Sequence, residues 1–447
     1  MIKEIFKKII IAIITFEAKL VLLRYKPRIV AISGTVGKTS TKDLVYQALK
    51  SELKVRKTQK SLNSEIGIPL TILGHKTGWD SPVEWIKIIA SGFLQIFYTK
   101  NYPEWLVIET GIDRPGDMDK TAKFLRPEIA IITAFGSVPA HVEYFDSPED
   151  VMKEEGKLIN YVRENGAVIL NADDPDVLKL KSKSKVKTFT YGINNPDSDI
   201  LVSNRSINYQ VSGSNDDSSV DSEIGLPTGI SFKVNHEGSV IPINLSKVLG
   251  DQYIYPTLAA ILTGKVLGIS PAVSAASINS FVPAPGRMNI ISGINDSVII
   301  DDTYNSSPLA AQKALETLNN LRCKGNKIAV LGDMLEIGRF SHSEHLKVGE
   351  LVAKYKIDYL VTVGLRSEDI ATGANEAGMP KKKIFIFKDS PDAIESVQAL
   401  LEEKAGSIIL AKGSQGIRVE KIVREIIENP LESGKLLVRQ EKEWLNR

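Results

Sequence analysis

Short apolar runs alternate with longer amphipathic stretches along most of this chain, the pattern of strands and helices in a parallel α/β architecture. The first run is Ile29-Val30-Ala31-Ile32. Others cover Trp105–Glu109, 129–133, Ala167–Asn171 and 188–191, with helical stretches between them, notably 148–165. Residues 192–245 are richer in Asn, Asp, Ser and Gly, most densely at 212–222, and read as β-hairpins with a mobile polar loop. A helical stretch at 253–267 follows. Phe281-Val282-Pro283-Ala284-Pro285-Gly286 then punctuates the chain as a domain boundary would. A second alternation opens at Val298-Ile299-Ile300-Asp301 and continues with strands at 327–331, Tyr359–Val363 and 407–411. No internal repeat is visible. The expected division is an apolar helix over 1–27, one α/β domain over 28–285 and another over 286–447.

The N-terminal segment has its own pattern. Lys3, Lys7 and Lys8 precede the run Ile9 to Ile14, and Glu17 and Lys19 interrupt before Leu20-Val21-Leu22-Leu23. A signal peptide does not fit, because no small-residue cleavage site follows. Two readings stay open. Residues 1–26 form a basic amphipathic helix touching the inner membrane face or a membrane partner, or a helix packed on the chain's own domain through a one-sided stripe.

Composition narrows the class. The 447 residues exceed what one core organises, and 43% hydrophobic with 25% charged residues is ordinary for a globular protein. A net charge of +2 gives no reason to invoke nucleic acid. The single Cys323 allows no disulfide or cysteine-rich zinc site, which suits the cytoplasm. A monomer is expected.

Candidate chemistry begins directly after the first strand, where the chain reads Gly34-Thr35-Val36-Gly37-Lys38-Thr39-Ser40. A strand entering a Gly-rich turn and then a helix is the geometry of a phosphate cradle, here a shortened one, since Ile32 stands where a full Walker pattern has its first glycine. Lys38 brings a full positive charge and Thr39 a hydroxyl for Mg²⁺. The first domain is thereby expected to be a P-loop ATPase with a mostly parallel sheet and a β-hairpin insertion, and the second Rossmann-like. Other polar groups close apolar strands, where α/β sheets bind ligands. Glu109 suits a hard cation, and His141 follows the 129–133 run with Glu143 nearby. Asp301-Asp302-Thr303-Tyr304-Asn305, Gly332-Asp333-Met334 and Lys412-Gly413-Ser414 end strands of the second domain. Each is an ordinary turn or cap by itself, and their accumulation on one edge points to a site.

Together these motifs resemble the Mur ligases, which form amide bonds in cell-wall precursor synthesis. The resemblance runs from about residue 28 to about 430. It includes the phosphate loop, Asn63-Ser64-Glu65-Ile66-Gly67-Ile68-Pro69, Glu109 with Gly111, His141-Val142-Glu143, and Gly286-Arg287-Met288. The strings Asp301 to Pro308 and Leu331 to Gly338, with His345 and Lys412-Gly413-Ser414, resemble the branch that adds D-alanyl-D-alanine to a muramoyl tripeptide. The resemblance implies an ADP-forming ligase that makes an acyl phosphate from a muramoyl-peptide carboxylate and joins it to D-alanyl-D-alanine. Lys38, His141 and Arg287 would be catalytic. ATP would lie on Gly34 to Ser40, Gln252, Tyr255, Arg287 and Asp302. Two Mg²⁺ ions would be held by Thr39, Glu109, His141 and Glu155. Tyr304, Asn305, Asp333, Lys412 and Ser414 would meet substrate.

Three departures from the family pattern stand out. Where members carry a carbamylated lysine, counting from His141 reaches Glu155, so either its carboxylate acts directly or Lys153 or Lys157 is modified. The usual adenine-contacting histidine and asparagines are replaced around Gly250-Asp251-Gln252-Tyr253-Ile254-Tyr255, leaving Gln252 and Tyr255 to substitute. The phosphate loop starts at residue 34, which leaves no room before it for the branch's UDP-gripping domain. The expectation is that UDP is recognised otherwise or that the donor is lipid-linked. Ligases that extend folate, polyglutamate or cyanophycin chains are the alternative.

Overall fold

The computed structural model describes residues 2–59, 63, 65–79, 81–210 and 225–445, with side chains from residue 6 onward. The polar loop expected at 212–222 lies outside them. The chain opens with helix α1 (Ile2–Tyr25), then β1 (Arg28–Ser33), α2 (Lys38–Leu49), β2 (Val55–Lys57), α3 (Gly67–Leu73), α4 (Pro82–Tyr98) and β3 (Trp105–Glu109). Next come α5 (Asp117–Leu125), β4 (Ile129–Ile132), α6 (Pro148–Gly156), β5 (Ala167–Asn171), α7 (Pro175–Leu178) and β6 (Lys187–Gly192). A meander of β7 (Ile200–Tyr209), β8 (Pro227–His236) and β9 (Ser239–Ser246) leads to α8 (Ile254–Val266). The second half contributes β10 (Asn289–Ser292), β11 (Val298–Asp302), β12 (Lys327–Gly332), β13 (Tyr359–Val363), β14 (Ile384–Phe387) and β15 (Ile408–Lys412).

Among the described residues these strands form two sheets, one of nine strands ordered β2-β3-β1-β4-β5-β6-β7-β8-β9 and one of six ordered β10-β11-β15-β12-β13-β14. In the first, β1 to β6 run parallel, and β7 pairs parallel with β6 before the antiparallel β8 and β9. The expected hairpins therefore extend the main sheet. In the second, only β10 is antiparallel. Helices cover both faces of parallel sheets, so their central strands are apolar on both sides. Every residue of β3, β4, β5 and β15 is buried. The stretch expected to be helical over 148–165 is shorter in the structure. α6 stops at Gly156, whose missing Cβ leaves room for Leu180, and the chain tightens into a 3₁₀ turn at Lys157–Tyr161 before β5.

α1 packs on the chain's own domain, the second of the two readings of its sequence. Ile10, Ile14, Ala18 and Val21 are buried in the same core as α3 and α4, while its other face stays exposed. Glu17 points inward as well. Its Oε2 accepts no hydrogen bond, and burial pushes its carboxyl up to about 7 from an ordinary 4.5. Between those values the native state keeps a proton that the unfolded chain has lost, so stability falls as pH rises through the window. Glu17→Gln removes this loss. Its gain in melting temperature over the parent is expected to be larger at about pH 8 than at about pH 5. An equal difference at both pH values in calorimetry contradicts the account.

Candidate active site

The loop between β1 and α2 is held by backbone geometry that only small residues accept. Gly34 has φ 125° and Gly37 has φ 89°, and a Cβ on Gly34 would meet the Thr133 hydroxyl. Thr35 and Val36 donate their N–H groups to the Ala134 carbonyl at 2.7 and 3.2 Å, which fastens the loop to the end of β4. No side chain caps α2, so its N-terminus presents partial positive charge to the adjoining cavity. Lys38 donates to the Gly34 carbonyl, and its Nζ stands 3.6 Å from Glu155 Oε1. Glu155, on α6, accepts from the Gly34 N–H at 3.0 Å and from the Ser33 hydroxyl.

Glu109 ends β3 beside this loop. Its Oε1 accepts from the Thr39 hydroxyl at 3.2 Å and from Asn63 Nδ2 at 3.4 Å. Oε2 is buried and accepts no hydrogen bond, with the Lys42 ammonium 3.6 Å away. Hydroxyl and carboxylate oxygens with an orphaned lone pair fit Mg²⁺, a hard ion that takes one or two carboxylates and completes its shell with water and phosphate. Among the described residues no three His, Cys, Asp or Glu side chains converge to enclose a metal by themselves.

Arg287 joins the two halves. Its Nη2 donates to Thr39 Oγ1 at 3.0 Å, and the guanidinium lies 4.0 Å from the Tyr304 ring centroid. The backbone carbonyl of Arg287 accepts from the Tyr253 hydroxyl at 2.6 Å. Behind Tyr304, Arg439 donates to the carbonyls of Thr303 and Tyr304 and pairs with Glu420 at 3.0 Å. At the edge of the second sheet Lys412 is buried, donating to Asp302 Oδ2 at 2.6 Å and to the Asn305 carbonyl at 2.9 Å. The neighbouring Asp301 carboxyl is pushed up to about 6 by burial, although Thr303 and the Gly286 N–H donate to it.

Most of these groups, though not Asp301, Glu420 or Arg439, line one cavity of about 880 Å³ to which both sheets contribute. Of the residues singled out by sequence, the phosphate loop from Thr35 to Ser40, Glu109, His141, Glu155, Gln252, Tyr255, Arg287, Asp302, Tyr304, Asn305 and Lys412 line it. Gly34, Asp333 and Ser414 do not. Asp333 accepts from the N–H groups of Arg366 and Ser367, and Ser414 accepts from the Leu335 N–H at 2.9 Å, so both brace strand-end loops. Glu109 and Thr39 meet directly, whereas Glu155 faces Lys38. His141 instead pairs through Nδ1 with Glu336 Oε2 at 2.9 Å, and this holds the Glu336 carboxyl below its ordinary value. The Tyr255 hydroxyl donates to Asp173 at 3.0 Å.

Sequence reasoning passed over Glu336, Asp173 and Arg439. Glu336 stands inside a quoted string, but its left-handed φ of 64° is not written in the residues.

Family models give this geometry a lineage. The Mur ligase middle domain matches residues 32–83 and 90–264, and the Mur ligase, glutamate ligase domain matches 286–415. The chain belongs to the Mur ligase family. It is thus an ATP-dependent ligase. The UDP-N-acetylmuramoyl-tripeptide–D-alanyl-D-alanine ligase of Bacillus subtilis (strain 168) is 28% identical over 414 residues, covering 93% of this chain and 79% of that protein. Its counterpart of the same name in Escherichia coli (strain K12) is 27% identical, covering 90% and 77%. Among solved structures, the MurF ligase from Thermotoga maritima in complex with ADP superposes with a TM-score of 0.72 at 24% identity, over 93% of this chain and 83% of that one. Mycobacterium tuberculosis folylpolyglutamate synthase complexed with ADP and AMPPCP shares the fold at a TM-score of 0.63 and 15% identity, over 92% and 94%.

The Arg287 contacts are bidentate in function, one hydrogen bond and one stacked face, which a lysine does not reproduce. Arg287→Lys is expected to weaken ATP binding about tenfold with an unchanged melting temperature. Titration with a fluorescent ATP analogue checks this, and unaltered affinity contradicts it.

Proposed function

We propose that this Mur ligase activates a muramoyl-peptide carboxylate with ATP and joins it to the amino group of D-alanyl-D-alanine, releasing ADP and phosphate. The observation that carries the reading is the single cavity shared by the phosphate loop and the Asp302–Lys412 edge. Its support from relatives is broad, since the two named above align over 93% and 90% of the chain.

In the first step a carboxylate oxygen of the donor attacks the γ-phosphorus, and ADP departs to leave an acyl phosphate. Two anions must approach, so the work is mainly electrostatic. Lys38, the α2 N-terminus and Arg287 supply that compensation. Mg²⁺, when bound, supplies further neutralisation of phosphate charge. Thr39 and Glu109 would hold one ion, and His141 with Glu155 would hold a second. Glu155 is the instructive member, because a carboxylate 3.6 Å from the phosphate-loop lysine repels a nucleotide phosphate unless a cation lies between them. In the second step the amine attacks the acyl carbon, the C–O bond to phosphate breaks, and the proton lost by the nitrogen passes to the departing phosphate. Gln252 and Tyr255 border the nucleotide, Asp302 its ribose, and Tyr304, Asn305 and Lys412 the acceptor side. Closure at the Gly286–Arg287 junction keeps water from the acyl phosphate. The enzyme acts as a cytoplasmic monomer.

Phosphate release tests the assignment. It is expected with UDP-muramoyl-tripeptide plus D-alanyl-D-alanine, and not with glutamate plus a folate acceptor. The opposite preference overturns it. Glu155→Gln is expected to raise the Mg²⁺ concentration for half-maximal activity about tenfold. An unchanged Mg²⁺ curve assigns the second ion to other groups.

A further inference from the structure

Two adjacent helices carry apolar residues on faces that nothing among the described residues covers. On α1, Phe6, Ile9, Ile13, Phe16 and Leu23 are 47%, 51%, 37%, 62% and 61% exposed. Their spacing of three, four or seven residues keeps them on one side, turned away from the buried Ile10, Ile14, Ala18 and Val21. On α4, Trp85, Ile88, Gly92 and Ile96 turn inward, while Val83, Ile86, Phe93, Leu94, Phe97 and Tyr98 are each more than half exposed. The helices touch. Tyr25 donates to the Gln95 carbonyl at 2.7 Å, and a Cβ at Gly92 would meet the Glu17 carboxylate. Patches of this extent on a monomer mark an interaction surface.

We propose that α1 and α4 together dock the enzyme on the surface of an anionic phospholipid bilayer. Charge selects this occupant. Lys7, Lys8, Lys19, Arg24 and Lys26 are exposed on or just beyond α1, and its one acidic side chain among those described, Glu17, is buried. On α4 the exposed Glu84 is already paired with Lys87 at 2.6 Å, and Lys100 follows the helix. Apolar stripes with cationic ends match acyl chains beside anionic headgroups, where long basic side chains reach the phosphates. A second copy on the same face would set these cations against each other. No helix among the described residues is long and apolar enough to cross a membrane, so the pair lies on the bilayer.

The face is also close to the cavity. Asn63 and Glu65 line the cavity just before α3, and α3 packs against α1. Its seven residues span about 10 Å. A docked enzyme thus holds its cavity near the lipid headgroups, where an amphiphilic donor would be within reach. The docking is independent of the ligase reading, because its test needs no substrate.

The full chain is sedimented with vesicles of phosphatidylcholine alone and of phosphatidylcholine with phosphatidylglycerol. Binding is expected only to the anionic vesicles and to fall with salt. Lys7→Gln with Lys8→Gln is expected to weaken it about 25-fold, roughly fivefold per cation lost. Phe16→Ser, Phe93→Ser and Phe97→Ser combined are expected to weaken it about tenfold or more, with ATP binding and melting temperature unchanged. Failure of the parent chain to bind either vesicle overturns the proposal, as does binding untouched by the triple serine variant. A lipid-free dimer in light scattering that the same variant dissociates assigns the face to a second copy instead.

Discussion

Arg287 is the contact on which the geometry of the cavity depends. It lies at the junction between the halves of the chain, reaches Thr39 of the phosphate loop with one nitrogen and lays its guanidinium face on Tyr304 of the second domain. Tyr304 is itself backed by Arg439, whose partner Glu420 is buried. A fixed cation therefore stands where one sheet edge meets the other. Parallel sheets force this placement. Their strands finish on one side, so polar groups that cannot be paired within the apolar layers gather at those ends.

Burial of so many charges at one edge needs compensation, and the pairs show how it is divided. Lys42 stands between Asp43 and Glu109 at 3.5 and 3.6 Å, and Lys412 is held by Asp302. Each satisfies a charge that would otherwise be costly to bury. Glu109 Oε2 and the Lys38–Glu155 pair differ, because the first accepts no hydrogen bond and the second is spaced too widely for one. Among the charged groups gathered at this edge, these two incompletely satisfied ones flank the phosphate loop. Polar satisfaction is given up locally where a highly charged ligand and its cation would restore it.

The central strands were legible in the sequence because strands buried on both faces are written as unbroken apolar runs. Trp105–Glu109 and Ala167–Asn171 match the structure residue for residue. Edge strands were not, since Val55–Lys57 and Asn289–Ser292 are short and half-polar and draw their identity from the neighbour they pair with. The strand-end groups Glu109, Asp302 and Lys412 were readable from position alone. Glu336 and Arg439 were not. The first depends on a left-handed turn, and the second meets Tyr304 across 135 residues of chain. Asp333 shows the converse, since a carboxylate at a strand end is equally suited to hold the N–H groups of a following loop.

The same limit explains why α1 supported two readings and α4 drew none. A helix that packs on one face and exposes apolar residues on the other shows no single stripe in its sequence. The run Ile9 to Ile14 serves both faces, with Ile10 and Ile14 inside and Ile9 and Ile13 outside. In α4 the mixture is more complete, so its periodicity is blurred and only Glu84 and Lys87 mark the polar side. Folding requires only the inner set. The outer set adds nothing to the core and exposes aromatic rings to water, a cost with no reason internal to the fold. Basic residues at both ends of α1, where a purely aqueous helix would be free to take either sign, fit a surface that is both greasy and negative.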